Sequence, residues 1–196
     1  MISELYSLKN NFNPNPSADR NYAIRVAAEY GHTEIVKLLL TNPIVDPSAN
    51  NNDAIRNACM NGHTEVVKIL LADSRVDPSA DDNDAIQNAS TNGHAEVVKI
   101  LLADFRVDPS AEDNSAIRFA CDFGNAEVVK ILLTDSRVDP SVNANYAIRV
   151  ASRNGHANVV KILLEDSRVD PSANDNDALK LASENGHAEV VKILLD

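Results

Sequence analysis

Aromatic side chains are scarce in this 196-residue chain, at 4% of residues, and tryptophan is absent. Apolar residues still make up 44%, so a sizeable core is available, and Ala, Val, Ile and Leu must build it. Basic residues are outnumbered 18 to 29 by acidic ones, which gives a formal net charge of −11. That balance argues against nucleic acid, whose binding rests on clustered Lys and Arg that release counterions. It also argues against docking on anionic lipid. The two cysteines, Cys59 and Cys121, do not form a disulfide framework and fit a reducing compartment. The N-terminus, MISELYSLKNNFNPN, lacks the basic and apolar stretches of a secretory signal. No apolar run is long enough to span a bilayer. These absences predict an intracellular chain, cytoplasmic or nuclear.

What the chain does have is a period. Asp-Pro-Ser begins at Asp46, Asp77, Asp108, Asp139 and Asp170, each 31 residues from the last, and Asn15-Pro16-Ser17 extends the series backwards. Self-similarity at this spacing points to a stacked array. The units are 15–45, 46–76, 77–107, 108–138, 139–169 and a shortened 170–196. Residues 1–14 resemble half a unit, with Leu5 and Leu8 one period before Val36 and Leu39. They are expected to cap the stack, one apolar face inward and one polar face outward.

Two helices are expected per unit. In unit 2 the first runs from about Asn52 to Met60, where Ala54, Ile55, Ala58 and Cys59 share a face. Asn21, Asn52, Asn83, Asn114, Asn145 and Asn176 occupy one slot and read as N-caps. Gly62 and its equivalents end this helix by entering the left-handed region. The second helix runs from about Thr64 to Ala72, with Val66, Val67, Ile69, Leu70 and Leu71 as its apolar face. Helices this short do not persist alone in water, so each unit needs its neighbours.

The stretches GHTEVVKILL (62–71) and GHAEVVKILL (93–102 and 186–195) resemble the second half of an ankyrin repeat. AIRNAC and AIRVAS sit where that family has Thr-Pro-Leu-His-x-Ala. The resemblance extends over residues 15–196 and recurs in six units. Two departures stand out: the unit is shorter than the usual repeat, and Asn-x-Ala replaces Thr-Pro. Arrays of this type are similar to ankyrin proteins of giant DNA viruses and amoeba-associated genomes. The resemblance implies an all-α, ankyrin-type solenoid of stacked helix-turn-helix repeats with short or absent β-hairpin fingers. It also implies a non-catalytic scaffold that binds a protein or peptide on the concave face formed by loops and first helices. The alternative is a structural protein that self-associates through its uncapped C-terminal unit, where Val190, Val191, Ile193 and Leu194 match buried positions elsewhere. A monomer is the expected state.

No catalytic site, metal or cofactor is expected. His32, His63, His94, His156 and His187 all follow the unit glycine. Stacked helices lie about 8–10 Å apart, too far for equivalent histidines to share an ion at about 2 Å. A hydrogen bond to the inter-helix turn is their expected role, and Asn125 in the same slot of unit 4 suits it. Cys59 and Cys121 share a slot with Ala28, Ser90, Ser152 and Ser183, so they read as small buried side chains.

Comparison between units separates framework from variation. The varying slots lie in the loop before the first helix and on one side of that helix. The resemblance assigns them to the partner-binding face: Tyr22, Val26, Glu29, Tyr30, Asp53, Asn57, Met60, Asp84, Asn88, Phe119, Asp122, Phe123, Tyr146, Arg153, Asp177 and Glu184. Tyr22, Tyr30, Phe119, Phe123 and Tyr146 are the aromatic members, a type favoured as interface anchors. Val26 and Phe119, with Val150 and Leu181, equally suit filling between neighbouring helices. The loop slots are acidic, at Asp19, Asp53, Asp81, Asp82, Asp84, Glu112, Asp113, Asp175 and Asp177, which would favour a basic partner. Asp53 and Arg56 are an expected i,i+3 pair.

Overall fold

The computed structural model describes residues 15–196; the half-unit expected at 1–14 lies outside them. The described residues form twelve helices: α1 (Ala18–Glu29), α2 (Thr33–Leu40), α3 (Ala49–Met60), α4 (Thr64–Leu71), α5 (Ala80–Thr91), α6 (Ala95–Leu102), α7 (Ala111–Asp122), α8 (Ala126–Leu132), α9 (Val142–Arg153), α10 (Ala157–Leu164), α11 (Ala173–Glu184) and α12 (Ala188–Leu195). No strand occurs among the described residues. The odd-numbered helices pack side by side in one row, the even-numbered ones in another, and each pair packs internally. The core runs between the rows. Ile24, Ile55, Ile86, Ile117 and Ile148 recur in one buried slot of the first helix, and Leu70, Leu101, Leu132 and Leu163 in one of the second. Each is an apolar side chain removed from water at the period of the sequence.

The first helices do not begin as the sequence suggests. In α3 the residues Asn50, Asn51 and Asn52 have φ of 58°, 62° and 59°, and the right-handed helix starts only at Asp53. The Asn52 N–H donates to the Ser48 carbonyl at 2.8 Å, closing one left-handed turn. All six first helices open this way. An L-residue there costs about 1–2 kcal/mol, and Asn and Asp tolerate it best. This explains why the slots hold Asn50-Asn51, Asp81-Asp82 and Asn174-Asp175; much of the loop acidity is a backbone requirement. Ala144, at φ 56°, has no such tolerance. Ala144→Asn is expected to raise stability by about 0.5–1 kcal/mol in urea melts; a loss would contradict the left-handed assignment.

The capping role expected for the slot asparagine is corrected. No first helix shows a side-chain cap bond. Instead Oδ1 of Asn21, Asn52, Asn83, Asn114 and Asn145 accepts the backbone N–H of Asp46, Asp77, Asp108, Asp139 and Asp170, one unit on, at 2.7–2.8 Å. The carboxylate of that aspartate accepts from the following Ser N–H and Oγ–H, as in Ser110 on Asp108, an Asx turn that fixes the loop.

Two more contacts cross each junction. Nη1 of Arg75, Arg106, Arg137 and Arg168 donates to the carbonyl of Val45, Val76, Val107 and Val138 at 2.7–2.8 Å. Each guanidinium is held by the aspartate two residues before it. That arginine keeps the carboxyls of Asp73, Asp104, Asp135 and Asp166 below the usual range. Nε2 of His63, His94, His156 and His187 donates to the last-turn carbonyl of the preceding first helix, at Glu29, Met60, Asp122 and Arg153. Asn125 does the same for Ser90 and Thr91. The histidines do bond the inter-helix turn, but the turn of the neighbouring unit.

Candidate functional site

With the core, the latch residues and the turn residues committed to folding, the exposed side of the first-helix row is what differs from unit to unit. Tyr22 is 54% exposed, Tyr30 62%, Phe119 37% and Phe123 58%. Phe119 and Phe123 stand four residues apart and so share a side of α7. Met60, Arg153 and Glu184 are exposed, and Val26, Glu29, Asn57 and Asn88 are half-buried. Val150 is buried, which fits gap filling between helices; Phe119 in the same slot projects.

The charged members are mostly engaged with one another. The expected Asp53–Arg56 pair within one helix is corrected. Arg25 pairs with Asp53 at 2.8 Å, Arg56 with Asp84 at 2.7 Å and Arg149 with Asp177 at 2.6 Å. Each bond joins one unit to the next, and all six side chains are half-buried. Arg56 also meets Asp81 at 2.9 Å, and Asn88 donates to Asp84 at 2.8 Å. These carboxylates are therefore clamps of the stack before they are ligands for anything else. Asp122 accepts from Arg153 at 3.3 Å and Asn154 at 2.7 Å. Asp82, Glu112, Asp113 and Asp175 stay exposed at the turn tips with no arginine partner among the described residues.

Junction 4–5 departs from this scheme. Arg118 faces Tyr146, not an aspartate, with its guanidinium carbon 5.5 Å from the ring centroid; Arg149 lies 6.0 Å from the same centroid. Junction 3–4 places Gln87 where the arginine would be and Ser115 where the aspartate would be.

Both thiols lie inside the stack. Cys59 and Cys121 are fully buried, and burial pushes both thiols far up, which disfavours the nucleophilic thiolate. No group of three or more His, Cys, Asp or Glu placed to hold a metal occurs among the described residues, and no helix is long and apolar enough to cross a membrane.

One exposed aromatic escaped the sequence reading. Phe105, 92% exposed, sits in the turn after α6, beside Leu71, Ala72 and Ala103. Ser74, Ser136 and Ser167 fill that slot in other units, so slot variation is the signal that singles it out.

The sequence model of the family described as "Ankyrin repeats (3 copies)" matches residues 1–82, 72–144 and 119–196. No curated protein sequence matches the chain. Among solved structures, one similar chain belongs to the Bd0816 predatory endopeptidase from Bdellovibrio bacteriovorus in complex with immunity protein Bd3460. It has a TM-score of 0.72 and 22% identity over 89% of this chain and 97% of that one. The human ASB11 ankyrin repeat domain matches with a TM-score of 0.69 and 22% identity, over 88% of this chain and 82% of that one. The fold, the repeated junction and the family match agree: this chain belongs to the ankyrin-repeat family.

Proposed function

We propose that the chain is a non-catalytic scaffold that holds a protein or peptide against the exposed side of its first-helix row and the adjoining turns. Ankyrin repeats generally mediate protein–protein interaction, and a similar structure is a complex containing an immunity protein. The observation that carries the reading is the segregation of exposed aromatics. Tyr22, Tyr30, Phe119 and Phe123 project from one row, in a chain with few aromatics; among the described residues Phe105 is the one exposed aromatic that lies elsewhere. Exposed Phe and Tyr are favoured interface anchors. The acidic tips at Asp82, Glu112, Asp113 and Asp175 suit basic residues at the partner's edge.

The self-associating alternative is less well supported. Among the described residues, a second copy stacking head to tail would set its first unit against the C-terminal one. That unit has Ile44 in the slot of Arg75, the arginine that bonds the preceding valine carbonyl, and Tyr22 in the slot of the clamp aspartate, so two of the recurring junction contacts have no counterpart.

The test is affinity capture with paired variants. Phe119→Ala with Phe123→Ala is expected to weaken a captured partner about 30-fold or more, as loss of a hot spot does. Phe105→Ala, a still more exposed control in the turn after α6, should leave binding unchanged. The reverse pattern would move the binding surface to the turns after the second helices.

A further inference from the structure

We propose that Arg118, with the aromatic groups beside it, is a subsite for a single carboxylate carried by the bound partner. The inference rests on the scaffold reading above and names part of that partner's chemistry. At the other junctions where a first helix has an arginine in this slot, the next unit supplies the counter-charge. Arg25 has Asp53, Arg56 has Asp81 and Asp84, and Arg149 has Asp177. At junction 4–5 the corresponding residues are Asn143 and Tyr146, both neutral. Arg118 takes part in no hydrogen bond or ion pair among the described residues, and its Nε is buried without an acceptor. An arginine donor left unpaired away from water costs free energy until an acceptor arrives. Gln87 shows the other solution: where unit 4 offers Ser115 and no aspartate, the arginine itself is replaced. At junction 4–5 the aspartate is gone and the arginine stays.

Nη1 and Nη2 of Arg118 have no partner among the described residues and, unlike Nε, are not buried. The guanidinium carbon lies over the Tyr146 ring, 5.5 Å from its centroid. The two Nη groups, which carry four of the five N–H donors, are the part of the guanidinium that a carboxylate can engage. Arg149 also lies over that ring, at 6.0 Å, but Asp177 already holds its charge, which leaves Arg118 as the unpaired cation. Asn143 and Ala144 at the neighbouring turn carry no charge. Phe119 and Phe123 on the same helix are exposed, so the group that fits is a Glu or Asp side chain flanked by apolar residues. The surrounding acidity makes the subsite selective: a polyanion is repelled by Glu112 and Asp113, whereas one carboxylate between apolar neighbours meets its cation.

The experiment uses the whole chain, isotope-labelled, with NMR of the arginine Nε–H and aromatic resonances. The probes are acetyl-Leu-Glu-Phe-amide, its Gln counterpart, and inorganic phosphate. The Glu peptide is expected to shift Arg118 saturably and to bind about tenfold or more tighter than the Gln peptide. Arg118→Gln should remove the difference. Tyr146→Asp, which supplies the missing carboxylate within the chain, should remove it with the fold intact, while Arg56→Gln should leave it. Shifts at Phe119 and Phe123 that do not distinguish Glu from Gln would overturn the subsite and leave the scaffold reading standing. No shift at Arg118 up to the peptide's solubility limit would overturn it as well, as would phosphate binding tighter than the Glu peptide.

Discussion

Gly124→Ala is expected to cost about 2–4 kcal/mol, and Gly186→Ala only about 1 kcal/mol, although both glycines have φ of +75°. The left-handed backbone penalises any Cβ at both positions by a similar amount. The difference comes from the next unit. A Cβ on Gly124 would lie 2.6 Å from Nδ1, 2.7 Å from Cε1 and 2.9 Å from Cγ of His156, whereas nothing stands within 4 Å at Gly186. The clash involves the root of the imidazole as well as its tip, so the ring must leave. With it goes the Nε2 bond to the Asp122 carbonyl at 2.9 Å, and the end of α7 loses a cap. The measurement is a urea melt of each variant, repeated with His156→Ala. In that background Gly124→Ala should fall to the Gly186→Ala value, a coupling that the double-mutant cycle reads directly. Because the stack is held by nearest-neighbour junctions, weakening junction 4–5 should also broaden or split the transition. Equal costs at the two glycines would mean that the histidine latch contributes nothing.

The features readable from sequence were those that lie within one unit. The 31-residue spacing of Asp-Pro-Ser, the apolar face of Ile55, Ala58 and Cys59, the second helix Val66–Leu71 and the left-handed Gly62 all follow from local pattern, and the structure shows each. The misread features were those in which a residue's partner belongs to the next unit, and periodicity itself is the reason. In a strict repeat, Arg56 stands three residues after one aspartate, Asp53, and 28 residues before its equivalent, Asp84; the two offsets make one period. Residue types alone cannot say which copy the arginine meets. Packing decides, because neighbouring first helices lie side by side and bring Asp84 to 2.7 Å. The expected bond of the histidine to the inter-helix turn forms, and packing decides that the turn is that of the preceding unit. For the candidate site, slot variation locates the aromatics, whereas the pairing of Asp53, Asp84 and Asp177 with arginines of the preceding unit follows only from packing.

Asn114 gives the sharpest separation between a helix cap and a junction latch, because the two roles rank the same substitutions in opposite order. Were the side chain an N-cap, Asn114→Ser would be nearly neutral and Asn114→Gly would lose only about a few tenths of a kcal/mol. In the structure Asn114 is buried, sits at φ 57° and accepts the Asp139 N–H at 2.8 Å. Glycine keeps the left-handed backbone and loses the acceptor, which leaves one buried N–H unpaired, so Asn114→Gly is expected to cost about 1–2 kcal/mol. Serine loses the acceptor, being too short to reach the next unit, and also resists the backbone conformation, so Asn114→Ser is expected to cost about 2–4 kcal/mol. Hydrogen exchange supplies a second readout: the Asp139 amide should lose protection in both variants while the first-turn amides of α7 do not. The predicted ranking, glycine above serine, runs against ordinary capping preference. It holds only if the turn before each first helix is left-handed and its last residue is tied to the following unit. The reverse ranking in equilibrium unfolding would return Asn114 to the cap and remove the strongest polar contact argued for the junction.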